Sequence, residues 1–143
     1  MRRVVLALLL FLVAGCGVRS TAPITGDEAP AGETTGLRLY LLSGAELVLV
    51  VRPDATDAGV LGALKALGLG PTAEESAQGL TTGIPQGTTL SYADGAVSVP
   101  RTLSEPAVQQ IACTVMVVGP ENAAVALIGP DGARRGLTCS KAR

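Results

Sequence analysis

A chain of 143 residues that is 48% hydrophobic, 16% charged and 2% aromatic has room for one domain built on an aliphatic core. It contains no histidine and no tryptophan, which excludes a histidine general base, a histidine metal ligand and a serine–histidine triad. A formal net charge of −1 offers no general attraction to nucleic acid or to an anionic surface.

The chain begins MRRVVLALLLFLVAGC, with Arg2 and Arg3 ahead of an unbroken apolar run from Val4 to Ala14. As a helix this run reaches only about 16 Å, against a bilayer core of about 30 Å. It has the length and flanks of a signal-peptide apolar segment instead. It ends in Val13-Ala14-Gly15-Cys16, which resembles the bacterial lipobox. That resemblance implies removal of residues 1–15 and a diacylglycerol on the Cys16 sulfur. Two acyl chains supply the two hydrophobic signals that stable anchoring takes. The alternative is an ordinary signal peptide with a coincident cysteine. Loss of Arg2 and Arg3 from the 11 basic residues leaves 9 against 12 acidic, a net charge of about −3. Arg134-Arg135 is too short a basic run to make a nucleic-acid patch. The expected contacts are therefore the membrane, through the anchor on Cys16, and proteins of the envelope, with no nucleic acid.

Residues 16–35 are rich in Gly, Pro, Thr and Ala without apolar periodicity and read as a flexible tether. The composition changes at Leu37, which puts the domain at 36–140 and a short tail at 141–143. Leu37 to Leu41 reads as a strand. Ser43-Gly44-Ala45 allows a hairpin, and Glu46 to Arg52 is apolar enough to predict a second, buried strand. Asp54 is placed to cap a helix after Pro53. Val60, Leu61, Leu64 and Leu67 share one helical face, and Gly68 is placed to close it. Further on, Asp94-Gly95 between Thr89–Tyr92 and Val97–Val99 is a type I′ hairpin signal. Ser104 with Pro106 predicts the start of a helix whose apolar face is Val108, Ile111, Ala112, Val115 and Met116, stopped by Gly119-Pro120. Ala124 to Ile128 reads as a central strand, followed by a turn at 129–132 and a return over 133–138. The predicted class is α+β: one mixed or mostly antiparallel sheet, two main helices on one face and a short capped helical turn.

That turn lies in GPTAEESAQGLTTGIPQGT, residues 70–88. A phosphate cradle would need a lysine after the second glycine and a strand before it. No Lys or Arg occurs between Lys65 and Arg101, while Glu74 and Glu75 would repel an anion. A slack linker would not carry Thr72-Ala73-Glu74-Glu75, a capping box, with Gly79 and Leu80 in the positions of a helix C-terminal stop. The segment therefore reads as an ordered connector.

Gly70, Pro71, Thr72, Glu75, Gly79, Leu80, Thr82, Ile84, Pro85, Gly87 and Thr88 together resemble the central signature of the GerMN domain, the sporulation and germination family also present in LpqB-type lipoproteins. The resemblance extends to strands at Leu39–Leu41 and Val50–Arg52, the helix Val60–Leu67, the strand Val97–Val99, a helix containing Gln110, Ile111 and Thr114, and a final strand over 125–132. Ser98 stands where members often carry Asp, and the cysteine pair is not a general family feature. The resemblance implies an α+β module of nearly the whole domain, without catalytic residues or cofactor, that takes part in assemblies of the cell envelope. Sporulation, germination and envelope signalling are the settings it implies.

With Cys16 lipidated, Cys113 and Cys139 remain as an even pair in an exported protein. Such a compartment favours a disulfide between them, the alternative being two free thiols. Glu74 and Glu75, adjacent on a helix, point about 100° apart and suit capping better than paired acid–base work. Ser76, Ser91 and Ser98 have no activating base. Tyr40 and Tyr92 fit sheet packing, and Asp94 and Asp131 fit turns; no regular set of oxygen ligands suggests a metal. No catalytic residue and no cofactor are expected. The expected function is a non-catalytic, lipid-anchored interaction module on the outer face of the cell membrane. A binder of a small ligand or of cell wall is the alternative.

Overall fold

The computed structural model describes residues 35–120 and 124–140. The expected leader, Cys16, the expected tether up to 34, residues 121–123 and the tail 141–143 lie outside the described residues. Among the described residues seven strands and three helices follow one another: β1 (Leu37–Ser43), β2 (Glu46–Arg52), α1 (Val60–Leu69), α2 (Ala73–Ala77), β3 (Leu80–Thr81), β4 (Ser91–Ala93), β5 (Ala96–Ser98), α3 (Glu105–Val118), β6 (Val125–Gly129) and β7 (Gly132–Leu137). The class is α+β. The strands divide into two sheets rather than one, an antiparallel β2-β1-β3 and a mixed β4-β5-β6-β7 in which β5 and β6 run parallel. Parallel neighbours need a long crossover, and α3 supplies it between β5 and β6.

Both sheets feed one aliphatic core. Leu37, Leu39 and Leu41 of β1 alternate inward and meet Leu64 and Leu67 of α1, Val108, Ile111 and Val115 of α3, and Val97, Val125 and Leu127 of the second sheet. Full burial of such side chains contributes about 1.5–3 kcal/mol each before conformational entropy is set against it. The helical face predicted for α3 is buried except for Met116, which is partly exposed at the rim. The Asp94-Gly95 turn has φ of 51° and 76°, the pair of left-handed residues that a type I′ hairpin requires.

Several local expectations change. The helix after Pro53 starts at Val60 with Gly59 as its N-cap, and Asp57, not Asp54, accepts the Gly59 N–H at 3.1 Å. Leu61 points outward at 57% exposure. The helix continues past Gly68 to a C-cap at Gly70, whose φ of 86° is open to glycine without penalty. Gly68 serves packing: a Cβ there would lie 2.3 Å from the Thr88 carbonyl oxygen, so only glycine lets residues 87–88 lie against the helix. Ser104 is the N-cap residue of α3 by position, but its side chain makes no capping hydrogen bond.

The largest departure is β2. Its apolar sequence predicts burial, yet it forms the edge of its sheet, with Val48 36% and Leu49 43% exposed. Apolar continuity marks a strand without saying what lies on its outer side.

Candidate functional site

The connector begins where α1 ends. Thr72 is the N-cap of α2; its Oγ1 accepts the Glu75 N–H at 3.2 Å, and Glu75 Oε2 accepts the Thr72 N–H at 2.7 Å. The predicted capping box is therefore complete. Gly79, with φ of 80°, donates its N–H to Ser76 O at 3.0 Å and ends the turn. Leu80 leads directly into β3, a two-residue strand beside β1 that the sequence reading did not include.

Glu75 has a second partner that lies 23 residues away. Arg52, the last residue of β2, donates from Nε to Glu75 Oε1 at 2.9 Å and from Nη2 to Glu75 Oε2 at 2.8 Å. The same Nη2 donates to Gly70 O at 3.1 Å. This is a two-pronged guanidinium–carboxylate pair, the geometry that makes Arg stronger than Lys in such a place. Its side chains are only 19% and 11% exposed, so solvent screens it little. The Arg52 hydrogen bonds hold the Glu75 carboxyl below its usual value, with the Thr72 amide adding to the effect and burial opposing it. Glu74, facing solvent one residue earlier, is also held low, first by its own backbone amide and then by the Thr72 hydroxyl.

A second network is built around Gln110, which is fully buried on α3. Its Oε1 accepts the Gly83 N–H at 3.0 Å and the Thr82 hydroxyl at 3.2 Å, and its Nε2 donates to Tyr40 O at 2.9 Å. Thr114, one turn further along, accepts the Tyr40 N–H at 3.0 Å. β3 covers only Leu42 and Ser43 of β1, so Tyr40 has no strand on that side. Two side chains of α3 take the place of the missing strand. The connector is fixed at its far end by the Gly87 N–H donating to Gly68 O at 2.8 Å and the buried Thr88 hydroxyl donating to Pro85 O. Ile84 sits in the core.

The structure thus brings Gly70, Thr72, Glu75, Gly79, Leu80, Ile84, Pro85 and Gly87 into one continuous segment pinned at three points. Pro71 sits half-buried at the turn between the two helices. Sequence periodicity assigns Arg52 no partner and gives Gln110 no role of its own. The available signals were a lone cation ending an apolar strand and a polar residue flanking an apolar helical face. Tyr40 is buried and Tyr92 partly buried, consistent with packing. Asp131 closes the β6–β7 turn and accepts from Arg134 at 3.2 Å. Among the described residues no cluster of metal-ligating side chains occurs and no helix is long and apolar enough to cross a membrane.

Cys113 and Cys139 form a disulfide, Cα to Cα 4.6 Å, across a sequence separation of 26. It joins the buried face of α3 to the segment after β7. Closing a loop of this length stabilises a fold by about 3 kcal/mol in the chain-entropy account. Reduction, or the double change Cys113→Ser and Cys139→Ser, is expected to lower unfolding free energy by about that amount in urea titrations. A loss below about 1 kcal/mol would show that the C-terminal segment is held without the bond.

Beside α2 the edge strand leaves an open groove of about 750 Å³, lined by Val48, Leu49, Val50, Thr72, Gln78 and Leu80 among others. Its lining sets these apolar strand residues beside the charged Arg52, Asp54, Glu74 and Glu75. The fold and the connector together define a small α+β domain with an internally braced connector and an exposed apolar edge. No family model, no curated protein and no solved structure matches the chain.

Proposed function

We propose that this chain is a lipid-anchored, extracytoplasmic module of the cell envelope, of GerMN type, that acts by binding other proteins and performs no chemistry of its own. The observation that carries the reading is the exposed apolar edge: Val48 and Leu49 on β2 open beside the α2 groove, in a chain whose charged connector residue Glu75 is already committed to Arg52 and Thr72. Unmatched apolar edges of this kind are where strands of other chains add. The lipobox-like Val13-Ala14-Gly15-Cys16 supports the anchor, and the disulfide suits an exported domain. The connector pattern supports the GerMN reading, with sporulation, germination or envelope signalling as its settings.

Two measurements test it. Cys16→Ser is expected to abolish incorporation of labelled palmitate and move the protein from the membrane to the soluble fraction. Retention on the membrane with the label unchanged would exclude Cys16 as the anchoring residue. A photo-crosslinking residue at Gln78, on the exposed rim of the groove, is expected to capture a polypeptide in intact cells. Capture of glycan or of no macromolecule at all would turn the reading toward a cell-wall or small-ligand binder.

A further inference from the structure

The open edge of β2 carries ladder groups that face away from β1. Tyr40 gives both its N–H and its C=O to α3, so the Tyr40–Leu49 pair exchanges no ladder hydrogen bonds. In an antiparallel pair bonded and non-bonded positions alternate, which turns the N–H and C=O of Leu47, Leu49 and Val51 away from β1. Among the described residues these outward groups meet no partner strand, because β2 ends the sheet order β2-β1-β3. The register with β1 runs unbroken from Glu46 to Arg52, without a bulge. Between those residues, Leu-Val-Leu-Val-Val supplies neither a proline nor a lysine to discourage pairing. Edges left unguarded in this way are templates for another strand.

The sequence ELVLVVR then selects the partner. We propose that two copies of this chain pair antiparallel through β2 about a two-fold axis at Leu49. Leu49 faces Leu49, Leu47 faces Val51 and Val48 faces Val50 across the axis, and Glu46 faces Arg52. Every outward-pointing residue meets another outward-pointing residue in this register, so all the free ladder groups of both strands are satisfied. Opposite charges close both ends. Glu46 is exposed, and the Nη1 group of Arg52 makes none of the hydrogen bonds to Glu75 and Gly70, so it is free to donate to this second carboxylate. Val48 and Leu49 lose their exposure in the pairing. The pairing names a partner for the interaction module proposed above and rests on that reading.

Cysteine placement tests it in the full-length protein, in cells oxidised with copper-phenanthroline. In the proposed register the two residues 49 form a hydrogen-bonded pair with Cα atoms about 5.5 Å apart, within the disulfide range of about 4.4–6.8 Å. Residues 48 of the two copies are displaced along the strands by about 7 Å and fall outside it. Leu49→Cys is expected to give a disulfide-linked dimer at least about tenfold above Val48→Cys, Leu61→Cys and wild-type protein. Adding Glu46→Arg, which sets two cations opposite each other, is expected to reduce that yield several-fold. These sites are exposed, so loss of folding does not confuse the result. Equal crosslinking at 49 and 61, no dimer at 49, or a yield unmoved by Glu46→Arg overturns the pairing. A crosslink from position 49 to a different polypeptide also overturns it, while leaving the interaction reading intact.

Discussion

Replacing Gln110 by leucine is expected to lower the unfolding free energy by about 3–5 kcal/mol. Leucine fills nearly the same volume, so little cavity opens, and the loss is polar. The change strands the Gly83 N–H and the Tyr40 C=O in an interior where each unsatisfied group costs about 1–3 kcal/mol, and it deprives the Thr82 hydroxyl of its acceptor. For a domain of this size that corresponds to a fall in melting temperature of about 10–25 °C. Thr114→Val removes only the bond to the Tyr40 N–H and is expected to cost about 1–2 kcal/mol. Because both side chains act on the backbone of Tyr40, the two losses should not add in a double-mutant cycle. Urea unfolding of the three variants decides the matter. A Gln110→Leu variant within about 1 kcal/mol of wild type would mean that water satisfies β1 and the connector without the amide.

Breaking the Arg52–Glu75 pair is expected to cost about 2–4 kcal/mol through Arg52→Ala, somewhat under the figure for fully buried pairs because both side chains retain some exposure. Glu75→Gln separates charge from capping. The amide can still accept the Thr72 N–H but no longer answers the guanidinium, and a loss of about 1–3 kcal/mol is expected. The pH dependence follows from the direction of the shift. The Glu75 carboxyl is held below its ordinary value of 4.5 in the folded state. Its contribution is then complete above pH 4.5 and is lost as pH falls through the lower folded value, since the unfolded chain takes up the proton first. Wild-type stability should therefore drop more steeply than that of Glu75→Gln below pH 4.5, with parallel curves above it. Parallel curves throughout the acid range would remove Glu75 from the acid sensitivity of the fold.

What the sequence made legible was local. Thr72 and Glu75 stand three residues apart, Asp94 and Gly95 are adjacent, and the face of α3 repeats within one helix, so short-range chemistry determines each. Long-range partners were not legible. Arg52 and Glu75 are separated by 23 residues, and Gln110 reaches back 70 residues to Tyr40; nothing in either neighbourhood announces the other. Gly68 and Gly70 look alike as helix stops. Only the approach of residues 87–88 shows that the first is a packing glycine and the second the cap. The burial expected of β2 fails for a related reason. Five consecutive apolar residues fix a strand, but whether its far side meets a neighbour depends on sheet order, which is a property of the whole chain.

The bond between Cys113 and Cys139 encloses the end of α3, β6, β7 and every peptide link between them. A protease that cuts once anywhere in that interval produces two fragments that stay covalently joined. The β6–β7 hairpin cannot diffuse away, and its re-docking beside β5 remains a unimolecular event at high effective concentration. On a gel without reductant such a nicked molecule runs as one band, and with reductant as two. Within this enclosed stretch a broken backbone need not mean a lost molecule.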